Sequence, residues 1–148
     1  MIAVIQRVTS ASVSIDGKEH SKIDNGLLIL LGVKEGDEDK DAEALSKKIG
    51  NLRIFSDENG KMNLSVKDIG GKVLVVSNFT LLANYKKGNR PDYMNGAKPE
   101  EANRLYEYFC KCISESVPME NGVFGADMQI NLLNDGPVTI VMDSEVLK

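Results

Sequence analysis

The chain has 148 residues, a mass of 16.2 kDa and a net charge of −4 at pH 7. This length predicts one domain over 1–148, because domains commonly span roughly 100–200 residues. The hydrophobic (42%) and charged (27%) fractions exclude disordered and fibrous classes. No apolar run approaches the ~20 residues that cross a bilayer. Two cysteines cannot form a disulfide framework, which fits a reducing compartment. We therefore expect a cytoplasmic protein, and from the short apolar runs we expect no membrane partner.

The amino-terminal part of the chain predicts strands. Branched apolar residues fill 2–8, and residues 10–15 alternate between apolar and serine side chains. The Asp16-Gly17 pair predicts a hairpin turn before a short strand at 18–23. The continuous apolar run at 26–33 is typical of a strand that is buried on both faces.

Two amphipathic helices interrupt the strands. Apolar residues recur at helical spacing in 38–51, and a second such helix runs from Pro99 to about 117. Strands are expected at 52–56 and 72–77, and residues 83–98 have the composition of a loop.

The carboxyl-terminal part again predicts strands, at 126–133 and 137–142, around a tight turn at Asn134-Asp135-Gly136. Most neighbouring strands are therefore joined by short turns. This order predicts an α+β fold with mixed or antiparallel sheets and two main helices.

Few residues suit metal or nucleophilic chemistry. His20 is the only histidine, and we expect it at an exposed hairpin edge. A single histidine excludes most zinc motifs and disfavours a Ser-His-Asp hydrolase. Cys110 and Cys112 point about 200° apart on a helix, so they cannot share one metal. We expect Cys112 to be a small core residue, and we expect neither a metal nor a cofactor.

Two polar segments invite two interpretations each. Residues 77–81 (Ser-Asn-Phe-Thr-Leu) lie at the end of a buried strand. Their backbone N–H groups could form an oxyanion hole, or the segment could be a strand end with polar caps. Residues 134–139 (Asn-Asp-Gly-Pro-Val-Thr) predict a hairpin loop, or a rigid wall if the Gly-Pro bond is cis. The residues alone leave both pairs of interpretations open.

A basic window interrupts the predicted loop. Lys86, Lys87 and Arg90 lie within five residues that contain no acid. Such a window can bind RNA even in an acidic chain, because association follows the local electrostatic potential. Alternatively, it is a solvated loop.

These segments resemble the D-aminoacyl-tRNA deacylases of bacteria and eukaryotes over essentially the whole chain. The start, 1–8, is similar to the start of that family. Residues 77–81 match its Ser-Gln-x-Thr-Leu motif at four of five positions, and 134–139 match its Asn-x-Gly-Pro-Val-Thr motif in full. Residues 87–91 and 122–128 are also similar to family segments.

The resemblance implies an esterase that removes D-amino acids, and to some extent glycine, from the 3′ end of tRNA, and so a role in chiral proofreading during translation. It implies a homodimer with active sites at the interface. It also implies that a cis Gly136-Pro137 peptide reaches into the partner's pocket and excludes the side chains of L-amino acids.

The same match assigns the site residues. The pocket would be lined by the catalytic group Ser77, Phe79 and Thr80. Substrate would be bound or framed by Asn78, Gly136, Pro137, Arg7, Met128 and Asn134, with Arg7 bracing the Gly136-Pro137 loop. We expect tRNA contacts from Lys86, Lys87 and Arg90.

Two points of chemistry remain open at this stage. Asn78 stands where the family has glutamine, so any contact of its amide shifts by about a bond length. Thr80 is either a nucleophile or a pocket residue. No base is evident near it, and we favour backbone donors assisted by the substrate's 2′-hydroxyl.

Two alternatives to D-aminoacyl ester hydrolysis remain open, and the second differs from it in class. A related deacylase would remove L-alanine from mischarged tRNA and would carry a trans Gly-Pro peptide. A non-enzymatic RNA- or protein-binding dimer would retain the fold without the activity.

Overall fold

The computed structural model describes residues 1–148, in which strands alternate with two α-helices. The strands are β1 (Ile2–Ile15), β2 (Lys18–Ile23), β3 (Gly26–Gly32), β4 (Phe55–Ser56), β5 (Met62–Leu64), β6 (Lys72–Ser77), β7 (Met119–Asn121) and β8 (Gln129–Asp143). The helices are α1 (Asp39–Asn51) and α2 (Pro99–Ser114), and two short 3₁₀ helices are Phe79–Leu82 and Ser144–Leu147.

Six of the strands form one mixed sheet. Its order is β2-β1-β3-β6-β7, and β8 also pairs with β1. The β3–β6 and β6–β7 pairs are parallel, whereas β1 is antiparallel to each of its partners. The expected α+β architecture with mixed sheets and two main helices is confirmed.

The first strand is longer than the sequence predicts. Residues 2–8 and 10–15 were expected as two strands but form the single strand β1. Its first half pairs with β3 and its second half with β2, while β8 follows it on both halves. Two register shifts in the β1–β8 ladder, between Gln6 and Ser10, take the place of a break.

The predicted hairpin at Asn134-Asp135-Gly136 is wrong. The strands expected at 126–133 and 137–142 belong to one strand, β8, which does not reverse direction. Asn134 pairs with Val8 and Thr139 pairs with Gln6, so residues 135–138 loop out opposite Arg7. Turn-forming residues favour a local bend here, but the ladder with β1 continues on both sides of it.

Two apolar clusters cover the two faces of the sheet. The larger one joins β3 to α1 and α2 through Leu27, Ile29, Leu45 and Phe109. Leu28 of the same strand belongs to the smaller cluster. The run expected at 26–33 is therefore buried on both faces, as its continuous apolar pattern predicts.

Several boundaries differ from expectation. Helix α2 ends at Ser114 rather than near 117, the strand expected at 52–56 is reduced to Phe55–Ser56, and the three-residue strands β5 and β7 were not predicted. Cys110, not Cys112, is the buried cysteine, because it shares the helical stripe of Phe109 and Ile113. His20 is exposed on β2, as expected.

No helix has the length and apolar character needed to span a bilayer. No three His, Cys, Asp or Glu side chains are grouped so that they could hold a metal ion.

Candidate active site

The first candidate segment begins where β6 ends. The apolar residues Val73–Val76 are buried in the sheet, and Ser77 emerges half-buried at the carboxyl end. Asn78 remains extended, with its N–H 2.8 Å from the carbonyl oxygen of Leu31. The chain then turns into the 3₁₀ helix Phe79–Leu82, so the polar segment lies at a strand end as expected.

Asn78 caps this short helix. Its Oδ1 accepts a hydrogen bond from the Thr80 N–H at 3.1 Å and another from the Thr80 hydroxyl. The side-chain amide therefore serves the local backbone, which is a common role of asparagine at a helix start. An amide oxygen is a poor base, so this contact does not activate the Thr80 hydroxyl as a nucleophile.

The backbone N–H groups of the segment differ in availability. Those of Asn78 and Thr80 donate within the chain, to the Leu31 carbonyl and the Asn78 side chain. Phe79 is the first residue of the helix, and its N–H has no acceptor among the turn, cap and side-chain hydrogen bonds. It is the donor of this segment that remains available to an anionic oxygen.

Buried contacts fix β6 just before the site. The carbonyl oxygen of Val75 accepts from the Tyr106 hydroxyl at 2.8 Å and from the Gly122 N–H at 3.1 Å. Burial raises the pKa of Tyr106, which keeps the hydroxyl a donor. Sequence reasoning missed Tyr106, although its place on the buried stripe of α2 was a usable signal.

Met128 packs against the neighbouring glycine. A side chain at Gly122 would place its Cβ 2.6 Å from the Met128 sulfur, so the methionine in its present position requires glycine at 122 and would have to shift for any larger residue. Met128 is half-buried against the smaller apolar cluster, beside β6.

Arg7 braces the second candidate segment, the loop 135–138. It is 8% exposed, and its Nε lies 3.2 Å from the Asp135 carbonyl oxygen and 3.0 Å from the Asp135 carboxylate. Its Nη1 donates to the Ile54 carbonyl oxygen at 2.7 Å. The side-chain amide of Asn134 donates to the carbonyl oxygens of Arg7 and Val138, both at 3.0 Å. The ends of the loop are thus held by two side chains.

The tip of the loop projects from its own subunit. Asp135, Gly136 and Pro137 are exposed, and the Gly136-Pro137 peptide is cis. A Cβ added at Gly136 would meet only the Asn134 side chain, at 3.4 Å. The tip therefore has open space around it within one chain.

The two segments do not meet within one chain. Ser77 on β6 pairs with Leu31 on β3, which pairs with Ala3 on β1. The loop lies opposite Arg7, on the other edge of β1. Along β1, Ala3 and Arg7 are four residues apart, at ~3.3 Å per residue. Across the sheet, β6 and β8 are three strand spacings apart, at ~4.8 Å each. The two segments are therefore separated by about 20 Å along the sheet. One chain thus holds the predicted catalytic residues and the predicted filter apart.

The basic residues Lys86, Lys87 and Arg90 are all exposed and form no ion pair. Their loop reaches the first segment through Tyr93, whose ring meets that of Phe79 edge to face, with centroids 4.9 Å apart. This contact was not anticipated from the sequence.

Comparison with known proteins assigns the class. The family model described as D-Tyr-tRNA(Tyr) deacylase matches residues 4–143, and the chain belongs to this family. It is 56% identical over 146 residues to a D-aminoacyl-tRNA deacylase of Porphyromonas gingivalis, with 97% of each chain covered. It is 56% identical over 147 residues to one of Cytophaga hutchinsonii, with 98% of each chain covered.

Solved structures share the fold. A protein named c-Myc DNA Unwinding Element Binding Protein has a TM-score of 0.92 and 41% identity, over 97% of this chain and 98% of that one. A probable eukaryotic D-amino acid tRNA deacylase has a TM-score of 0.80 and 13% identity, over 95% and 97%. The second likeness concerns the fold alone.

Proposed function

We propose that the protein is a D-aminoacyl-tRNA deacylase, which hydrolyses the ester between a D-amino acid and the 3′ end of tRNA. The observation that carries this function is the identity of 56% to proteins of that name, over nearly the full length of both chains. The whole chain, 1–148, acts as one deacylase domain in the cytoplasm, where it removes wrongly attached D-amino acids before translation uses them.

The reaction needs positioning more than a strong base. A water molecule attacks the ester carbonyl carbon, and the oxyanion that forms is stabilised by the Phe79 N–H. The bond to the 3′-oxygen then breaks, and that oxygen takes up the proton that the water has lost. The neighbouring 2′-hydroxyl of the substrate relays this proton, while Ser77 and Thr80 line the pocket.

Chirality is selected by the loop that carries Gly136 and Pro137. An L-amino acid places its side chain where a D-amino acid places a hydrogen atom. A backbone wall at that point rejects every L side chain, because backbone held by Arg7 and Asn134 does not yield as a flexible side chain would. Glycine passes the same wall, so glycine mischarged on the alanine tRNA is also a substrate.

The complete site requires two subunits. The loop of one subunit enters the pocket formed by Ser77, Asn78 and Met128 of its partner. Support comes from the separation of about 20 Å within one chain and from the open space around Gly136. The outer edge of β8 is also unpaired, and Leu133 and Val141 on either side of the loop are 62% and 69% exposed. A long exposed edge of this kind is usually covered by another chain.

The polyanionic substrate is held by Lys86, Lys87 and Arg90. None of these cations is neutralised by the protein, so all three are available to phosphates. Replacing all three by serine should reduce the slope of log binding constant against log salt concentration by up to about 2–3. The exposed pair Lys47 and Lys48 on α1 provides a matched control that leaves the slope unchanged.

Turnover on tRNA charged with D- or L-tyrosine tests the proposal. We expect release of D-tyrosine and retention of L-tyrosine, with glycine released from the alanine tRNA. Selective release of L-alanine would favour the related deacylase instead. Binding of tRNA without release of any amino acid would favour a non-enzymatic RNA-binding dimer.

A further inference from the structure

The loop between the 3₁₀ helix Phe79–Leu82 and α2 exposes large apolar side chains that the fold does not use. Tyr85 is 80% exposed and Met94 is 83% exposed. Neither belongs to an apolar cluster, and the Tyr85 hydroxyl makes no hydrogen bond within the chain. Burying either side chain against a partner would therefore be favourable.

The base of this loop is held in place. The N–H of Asn84 lies 2.8 Å from the Asp92 carbonyl oxygen, and the N–H of Asp92 lies 3.0 Å from the Asn84 carbonyl oxygen. The Asp92 carboxylate accepts from the N–H of Met94 at 3.2 Å and from the Asn84 amide at 3.3 Å. Tyr85 and Met94 thus flank a closed bridge, and the one acid of the loop is engaged inside it.

The charge of the loop favours an anionic partner. Residues 84–95 contain three cations, Lys86, Lys87 and Arg90, and the single acid Asp92, whereas the whole chain has a net charge of −4. Exposed aromatic rings interleaved with unpaired cations are the two components of surfaces that bind single-stranded nucleic acid.

The loop also adjoins the candidate active site. Tyr93 follows the bridged Asp92 directly, and its ring packs against Phe79 at the start of the 3₁₀ helix. A chain of nucleotides that leaves the site on this side would pass over the loop.

We propose that this loop binds the unpaired nucleotides that precede the terminal adenosine of the tRNA, with a base stacked on Tyr85 beside Met94 and phosphates held by the three cations. The inference rests on the proposed function for the identity of the ligand. Single-stranded RNA fits better than the paired stem, because a paired base is covered by its neighbours and offers no free face to a tyrosine.

A fluorescence titration tests the stacking directly. The chain contains no tryptophan, so Tyr85→Trp introduces a single indole reporter at an exposed position. Single-stranded RNA ending in CCA should quench its emission in a saturable and salt-dependent way, whereas a blunt duplex of equal length should not. Equal quenching by the duplex, or no quenching by the single strand, would overturn the proposal.

A kinetic comparison separates this surface from the reaction centre. Tyr85→Leu should lower kcat/KM on D-tyrosyl-tRNA by about 5–150-fold, the range of one lost base–aromatic stack. Tyr85→Trp should retain the wild-type value. On D-tyrosyl-adenosine, which lacks the preceding nucleotides, wild type and Tyr85→Leu should agree within about twofold. Equal losses on both substrates, or a loss on neither, would contradict the assignment.

The two proposals fail in different ways. If the wild type releases no D-tyrosine from either substrate, the proposed function is wrong, and quenching in Tyr85→Trp still reports on RNA stacking. If hydrolysis is present but the indole emission does not respond to the single strand, the function stands and this surface is wrong.

Discussion

At the scale of single residues, the proposed chemistry depends on one backbone donor, the N–H of Phe79. Phe79 occupies the first helical position, where proline is well tolerated, and Asn78 before it has the extended backbone that proline requires. Phe79→Pro therefore deletes the N–H at little structural cost. Phe79→Ala, the matched control, deletes the ring but keeps the N–H.

We expect kcat on D-tyrosyl-tRNA to be about 10²–10³-fold lower in Phe79→Pro than in Phe79→Ala, the usual loss of one oxyanion donor. Steady-state kinetics of the two variants measure this ratio. Equal rates would show that the scissile carbonyl is held elsewhere.

Thr80 provides the complementary test. Its hydroxyl donates to the amide oxygen of Asn78 and has no base beside it. We therefore expect Thr80→Val to keep kcat within about tenfold of wild type, because the loss is one neutral hydrogen bond of about 0.5–1.5 kcal/mol. Single-turnover rates with Thr80→Ser as a control decide the point, and a loss of several orders of magnitude in Thr80→Val alone would identify a nucleophile.

At the scale of elements, the loop 135–138 depends on Arg7. Arg7→Met removes the donors to Asp135 and Ile54 but keeps the aliphatic bulk. The carbonyl of Ile54 is then left without this partner, which costs about 1–3 kcal/mol of unfolding free energy. Urea unfolding should show this loss of stability. Turnover assays should show that the variant rejects L-tyrosyl-tRNA less strongly than wild type. Arg53→Met, an exposed control whose side chain makes one hydrogen bond, to Asn63, should change neither.

Elements with a strong periodic pattern were predictable from the sequence. Helix α1 differs from 38–51 by one residue, and β3 is the doubly buried strand that its run of leucines predicts. β8 was not predictable, because Asn134, Asp135 and Gly136 have the same local preference in a hairpin as in a loop that leaves a continuous strand. The ladder with β1 decides between them, and its paired residues are at least 115 positions apart, as in Ser14 and Gln129.

The candidate site was predictable in its motifs but not in its contacts. The resemblance implied that Arg7 braces the Gly136-Pro137 loop, but its acceptors, the carbonyl oxygens of Asp135 and Ile54, were not predictable. The cap by Asn78 and the contact of Phe79 with Tyr93 also depend on where side chains come to lie. The buried stripe of α2 signals that Tyr106 is buried, but its hydrogen bond to the Val75 carbonyl joins α2 to β6, and no local pattern encodes that contact.

At the scale of the whole molecule, the central prediction is that the loop acts across subunits. Gly136→Ala adds a methyl group that meets only the Asn134 side chain within its own chain, so the fold and its unfolding free energy should be unchanged. If the tip faces the partner's pocket, that methyl group obstructs the substrate and activity falls.

Mixing two variants of low activity distinguishes action across subunits from action within one chain. Gly136→Ala and Phe79→Pro, unfolded and refolded together, give mixed dimers in which one pocket has an intact Phe79 and receives an intact loop. We expect partial recovery of D-tyrosyl-tRNA hydrolysis in the mixture and none in either variant alone. Absence of recovery, with mixed dimers demonstrated by mass spectrometry, would place the loop in its own subunit's site.

The attachment of this loop has a consequence for how the protein can change during evolution. The exposed tip 135–137 lies between Asn134, which pairs with β1, and the buried Val138, so residues can be inserted at the tip without displacing the strand on either side. If the loop selects the substrate as proposed, length variation at its tip would change the specificity while leaving the scaffold intact. The same two anchor points mark where a segment from another deacylase could be transplanted into this chain.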